Sequence, residues 1–248
     1  MKIYLSCTAN LGDFLNAMPV MSGIVNSYGK FELIIRNEMK KFNGIKEFLS
    51  YQDLFTDVLY DDEVILYGDK PLFMSSWTRE DRNSDIRPVE TCRYENWMKD
   101  NYNLNFEVDD DFKLKIPDVE LNLTNNCYIL GDRWDETFDP TVDSRRKTRV
   151  LKDSGRFNDI EVYYLDYSND IIFNANVIKQ SSRPFVTTFT GIGILADLMG
   201  KETYVLWDDD MEFWDGRPVQ FDFERHYYGN RKSKLHYIKD FNLGELND

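Results

Sequence analysis

The feature that most limits what this chain can fold into lies in its first 35 residues, where a β-rich run, a turn, a helical stretch and a second β-rich run follow one another. Ile3-Tyr4-Leu5-Ser6 is the first run, and turn-forming Thr8-Ala9-Asn10 comes after it. Phe14, Met18, Met21 and Val25 then recur at helical spacing, and Gly29 closes the helix. Phe31-Glu32-Leu33-Ile34-Ile35 reads as the second strand. Two strands joined through a helix run parallel, and the crossover is right-handed, because only that hand packs the helix back onto a twisted sheet. Pro19 lies inside the helical stretch, and having no N–H to donate it predicts a kink there.

The alternation continues. Residues 39–48 read as helix, 58–60 and 64–67 as strands, and 88–99 as helix again. Phe112-Lys113-Leu114-Lys115-Ile116 alternates apolar with basic, and Pro117-Asp118 interrupts it. A polar stretch ending Thr124-Asn125-Asn126 follows, before the apolar strand Cys127-Tyr128-Ile129-Leu130. This change of pattern sets a domain boundary near residue 120, dividing the chain into 1–120 and 121–248. In the second part Ile160–Leu165, Phe185–Thr188 and Tyr204–Trp207 are strand-like, and a helix opens at Thr190-Gly191, runs through Met199 and is capped by Gly200. The expected architecture is α/β, two halves with a cleft between them and ligands at the carboxyl ends of parallel strands.

Composition narrows the function classes. No apolar run approaches the ~20 residues of a spanning helix, and the N-terminus reaches polar Asn10 and Asp13 too early for a signal-peptide core. The expected location is cytoplasmic, so the sequon at Asn122 reads as chance. Three scattered cysteines (Cys7, Cys92, Cys127) and two histidines (His226, His236) argue against a disulfide framework, a zinc site or a histidine-rich centre. Acid–base chemistry then falls chiefly to carboxylates. A net charge of −14 disfavours salt-driven binding to nucleic acid, and the basic clusters Arg145-Arg146-Lys147 with Arg149, and Arg231-Lys232 with Lys234, read as solvated loops or as local anion contacts.

Two turns could carry chemistry. In Asn10-Leu11-Gly12-Asp13, a glycine between strand and helix admits close approach of a ligand to the backbone. The first-turn amides offer donors to an anion or a sugar hydroxyl. Asp13 is either a general base for an acceptor hydroxyl or a helix-terminal acid favoured by the macrodipole. In Phe189-Thr190-Gly191-Ile192-Gly193-Ile194, a strand, a Thr-Gly pair and a helix start form a diphosphate cradle, or a plain βα turn with two close-packing glycines. Asp208-Asp209-Asp210 after a strand resembles the Asp-x-Asp metal site of GT-A glycosyltransferases; an acidic loop is the other reading, since Asp109-Asp110-Asp111 repeats it. Trp134 and Trp207 are candidates for stacking on a base or sugar, against the usual core role of aromatics.

Gly12-Asp13 followed by Pro19 resembles the opening of the ADP-heptose:lipopolysaccharide heptosyltransferase family, and Thr190-Gly191, Leu195-Ala196, Gly200 and Tyr204–Trp207 resemble that family's donor-phosphate segment. The resemblance covers about 40 residues. It implies a GT-B fold of two Rossmann-like domains, metal-independent transfer of a sugar from a nucleotide diphosphate to a saccharide or other hydroxyl acceptor, and no cofactor. It also implies Asp13 as the base, Asn10 and Gly12 as the acceptor-side loop, and donor contacts from Thr190, Gly191, Ile192 and Gly193. A cation must offset the diphosphate when no metal does; Arg133 matches the family's basic residue, and Lys147 is the other candidate. This chain departs from the family at Phe189, where an acid is usual, and at Ile194, where a histidine is usual. Two other functions remain open: a DNA-base glycosyltransferase of phage type, and an inactive nucleotide-sugar-binding module.

Overall fold

The computed structural model describes residues 1–6, 10–64, 70–76, 87–121, 127–131, 151, 154–157, 160–207, 219–228 and 231–242. Two all-parallel sheets form the frame. The first holds β1 (Lys2–Leu5), β2 (Phe31–Ile35), β3 (Phe55–Tyr60) and β4 (Leu72–Met74) in the order β3-β2-β1-β4. The second holds β5 (Tyr128–Gly131), β6 (Val162–Tyr164), β7 (Phe185–Thr187), β8 (Thr203–Trp207) and β9 (Ser233–Tyr237) in the order β6-β5-β7-β8-β9. The α/β reading and the parallel pairing of the opening unit therefore hold. In each sheet the strand order reverses beside one strand: β1 lies between β2 and β4, and β5 between β6 and β7. Such switch points open a crevice at the strands' carboxyl ends.

Pro19 does not kink a single helix. It begins a new one: α1 (Leu11–Asn16) stops, Ala17 turns the chain, and α2 (Met18–Tyr28) starts with the proline in its first turn. There the missing N–H costs nothing, because first-turn amides have no helical acceptor. Gly29 ends α2 at φ +82. The helix read over 39–48 is also divided, into a 3-10 turn (Asn37–Lys41) and α3 (Ile45–Ser50), separated by Gly44 at φ +75. α4 (Val89–Tyr102) follows Pro88, and Asn103 in the left-handed region ends it. The second half adds α5 (Ile171–Gln180), α6 (Gly191–Leu198) and α7 (Val219–His226). The strand read at 64–67 lies, after Val64, outside the described residues.

The second sheet is buried on both faces, and its strands alternate accordingly. Tyr128, Leu130, Val186, Tyr204 and Leu206 point into an outer cluster with Leu151, Phe157, Ile238 and Phe241. Ile129, Phe185 and Val205 point the other way, into a core shared with the first half. That shared core runs without a break from Ile3, Leu5 and Leu33 through Phe14, Met18 and Met21 to Ile192, Leu195 and Leu198. Each fully buried aliphatic or aromatic side chain contributes about 2 kcal/mol, so the contact between the halves is part of the core.

The alternating stretch 112–116 forms no ladder, yet it buries the expected set: Phe112, Leu114 and Ile116 are inside, Lys113 and Lys115 outside. The chain runs extended here, pinned by Leu114 N donating to Leu198 O and Lys115 N donating to Gln52 Oε1. Just before it, the backbone crosses α2 at Gly23, where an added Cβ would lie 2.0 Å from Glu107 O. Arg231 is not a solvated loop residue. Two residues before β9, it donates to Phe112 O (2.7 Å), Asp197 O (3.0 Å) and Asp110 O (3.3 Å), and sets its guanidinium 4.3 Å from the Tyr228 ring centre. Three carbonyls inside the fold satisfy the guanidinium donors better than a loop would.

Candidate functional site

α1 starts after β1, and α6 starts after β7, so both turns singled out in the sequence open at switch points of their sheets. They face one another at contact distance. A Cβ on Gly12 would lie 2.6 Å from Ile194 Cδ1, and one on Gly191 would lie 2.8 Å from Leu11 Cβ and 2.9 Å from Gly12 N. At Gly191 a side chain would meet backbone, so glycine is needed there for the first turns to meet; at Gly12 it would meet the movable tip of Ile194. Each first turn presents backbone amides with no helical acceptor and carries the positive end of its helix dipole. Two such ends side by side favour an anion between them.

Thr190 caps α6. Its backbone is extended (φ −137, ψ 156), and its hydroxyl accepts from Gly193 N at 3.2 Å. The same oxygen is 3.1 Å from Thr187 Oγ1, which donates to Gly131 O at 2.8 Å. Thr187 Oγ1 also lies 3.0 Å from Thr188 O, and either hydroxyl of the Thr187–Thr190 pair can donate to the other. The first amides of α6, at Gly191 and Ile192, are the groups this turn offers to a ligand. Gly193 is fixed by packing: a Cβ there would lie 2.3 Å from the Tyr227 hydroxyl oxygen.

On the other side, Asn10 is exposed and extended (φ −107, ψ 132), Gly12 is buried, and Asp13 is half-buried in the first turn of α1. Asn16, one turn further on and wholly buried, donates its Nδ2 to Gly12 O at 3.2 Å. The same amide nitrogen is 3.3 Å from His226 Nδ1, at the end of α7. Glu90 on α4, 1% exposed, accepts from Arg225 Nε (2.7 Å) and Arg93 (3.0 Å). Thr91 Oγ1 donates to Asn16 O at 3.0 Å. Burial pushes the His226 pKa down; the carboxylates of Asp13 and Glu90 work against that shift, and the guanidiniums of Arg225 and Arg93 add to it.

His226 is the residue that sequence reasoning left out. Two histidines 10 apart, neither in a motif, carried no signal, and only the return of α7 onto α1 and α4 brings one of them to Asp13. Ile194 turns its side chain onto Gly12. Phe189 is half-buried and packs against the shared core. Arg133, Lys147, Trp134 and Asp208-Asp209-Asp210 lie outside the described residues, as do Arg145, Arg146 and Arg149. Trp207 meets Tyr237 in a tilted ring contact, ring centres 4.7 Å apart and planes at 43°, at the ends of β8 and β9. Cys92 and Cys127 are buried. Among the described residues no group of three or more His, Cys, Asp or Glu side chains is placed to hold a metal ion, and no helix is long and apolar enough to cross a membrane.

No protein-family model matches this chain, and no curated protein sequence matches it. Solved structures do. An Escherichia coli heptosyltransferase, WaaC, with ADP aligns at a TM-score of 0.53 and 10% identity, over 96% of this chain and 93% of that one. A glycosyl transferase family 9 protein from Veillonella parvula aligns at 0.56 and 11% identity, over 96% and 86%. WaaC with ADP-2-deoxy-2-fluoro heptose aligns at 0.52 and 11% identity, over 95% and 93%. The two parallel α/β halves of this chain thus share the GT-B fold of those glycosyltransferases along nearly their whole length.

Proposed function

We propose that the chain transfers a sugar from a nucleotide-diphosphate donor to a hydroxyl acceptor, without a metal ion or cofactor, at the junction of α1 and α6. The observation that carries this reading is the meeting of two helix N-termini, each at a switch point of its sheet, with Asp13 in the first turn of one. In it, the amides of Gly191 and Ile192 hold the diphosphate, with Thr190 and Gly193 shaping the turn. Arg133 or Lys147 supplies the positive charge that the leaving nucleotide needs. Asp13 takes the proton from the acceptor hydroxyl, and Asn10 and Gly12 line the acceptor side. The fold shared with WaaC, a heptosyltransferase whose structure holds ADP, supports the nucleotide-sugar part of the proposal.

The test is release of free sugar from UDP-, ADP-, GDP- and CMP-sugars by the wild type and by Asp13→Asn, with and without EDTA. The expected result is hydrolysis of one donor, unaffected by EDTA and reduced on the order of 10²-fold or more in the variant. Equal turnover in both proteins removes Asp13 from the role of base. A second reading has an observation of its own: Ile194 puts a methyl group against Gly12 where the resembled family carries a histidine. That favours a nucleotide-sugar-binding module, and thermal stabilisation by a donor with no turnover would select it.

A further inference from the structure

The polar cluster between α1, α4 and α7 has a geometry that the proposed chemistry does not yet use. Asn16 Nδ2 reaches both Gly12 O and His226 Nδ1, and Asn16 Oδ1 is buried with no hydrogen-bond partner among the described residues. Those two contacts therefore decide how the amide is turned. Flipping it would set Oδ1 against the Gly12 carbonyl, acceptor against acceptor. With Nδ2 facing His226, the imidazole must accept at Nδ1 and carry its proton on Nε2. A proton on Nδ1 would meet an N–H of Asn16 head on. The ring itself is held in place from its own helix: Arg225, the preceding residue, is bound to Glu90, and Glu90 is bound also to Arg93 on α4.

Resting on the functional reading above, we propose that His226 is the positioning residue for Asp13: its Nδ1 holds Asn16, Asn16 holds the Gly12 carbonyl, and the peptide that carries Asp13 is thereby fixed. In this way α7, which belongs to the second half, sets the group that the first half offers to an acceptor. The charged groups around the ring are Asp13 on α1, Glu90 and Arg93 on α4, and Arg225 on α7. Two carboxylates and two guanidiniums act on the ring with opposite sign, and desolvation lowers its pKa.

The direct test reads the imidazole of the intact chain by long-range ¹H–¹⁵N correlation at pH 7.5. With two histidines in the chain, the His226→Asn spectrum assigns the resonance. The expected state is neutral, with the proton on Nε2; an Nδ1–H tautomer or a protonated ring overturns the proposal. The second arm compares His226→Asn, whose Oδ1 keeps an acceptor near the place of Nδ1, with His226→Leu, which has none. The Gly12 and Asp13 backbone amide resonances are expected to stay near wild type in the first and to move in the second, and equal shifts in both overturn the proposal. If the leucine variant does not fold, the tautomer of the wild type decides. In donor hydrolysis the leucine variant should lose about 10²-fold in kcat, the effect of a misplaced catalytic group, with the donor KM unchanged and the asparagine variant largely restored. A wild type that hydrolyses no sugar donor removes the functional reading, while the spectra still judge the tether.

Discussion

Asp197 offers a quantitative test of how α6 packs against β9. It is 1% exposed, on the face of α6 that meets β9, and its carboxyl accepts from Ser233 Oγ. Burial raises its pKa from the usual 3.8 to about 6, against the opposing pull of the Ser233 hydrogen bond, the Arg231 charge and the Tyr228 amide. A carboxyl whose folded pKa is raised contributes stability that is complete below its unfolded pKa and is lost as pH rises through the folded value. The shift of about two units corresponds to about 3 kcal/mol across the whole titration. About half of it, roughly 1.4 kcal/mol, falls between pH 5 and pH 8, a window that stays above the acidic isoelectric region of a chain with net charge −14. A carboxamide in its place does not titrate. Urea unfolding of the wild type and of Asp197→Asn at pH 5, 6, 7 and 8 cancels every other titrating group in the difference. The wild type should gain about 1.4 kcal/mol on the variant as pH falls from 8 to 5. A difference that stays flat, or that runs the other way, would show that the carboxyl is not desolvated in the native state.

Three further outcomes follow from the same packing. Gly23→Ala places a Cβ 2.0 Å from the Glu107 carbonyl oxygen, where only backbone can yield, so unfolding by urea should show a loss of roughly 3 kcal/mol. Of the two glycines at the candidate site, Gly191→Ala meets the backbone nitrogen of Gly12 and should be the more damaging; Gly12→Ala meets the movable end of Ile194 and should be relieved by Ile194→Val in a double-mutant cycle. Arg231→Met keeps the apolar stem but takes its donor from Phe112 O and Asp110 O, while Asp197 O keeps Gly200 N, and should lower stability by about 2 kcal/mol in the same urea assay.

Much of the frame was legible because its signals are local. The spacing of Phe14, Met18, Met21 and Val25, the apolar run at 31–35 and the Thr190-Gly191 turn each encode a helix or strand through periods and caps that depend on near neighbours. Parallel pairing followed from those, since chain geometry leaves no other way to join such strands. Where single residues were misjudged, a second local choice competed. Pro19 suits a helix interior badly and a first turn well, and the chain takes the second course by ending α1 at Asn16. Phe112-Lys113-Leu114-Lys115-Ile116 carried the alternation of a strand and shows its burial pattern, but its hydrogen bonds run to the side chains of Gln52, Arg231 and Lys179 and to the carbonyls of Asp109 and Leu198, and none of the described strands pairs with it.

By itself the sequence determined two parallel α/β halves and the two glycine turns that open α1 and α6, because β-propensity, helical period and glycine's missing Cβ are properties of short segments. Tertiary structure alone decided that those turns touch, that Ile194 closes on Gly12, that Arg231 is tied to Asp110 and Phe112, and that His226 comes to Asn16 from 210 residues away. These are long-range contacts whose chemistry depends on which faces meet, and no period or motif along the chain carries that information.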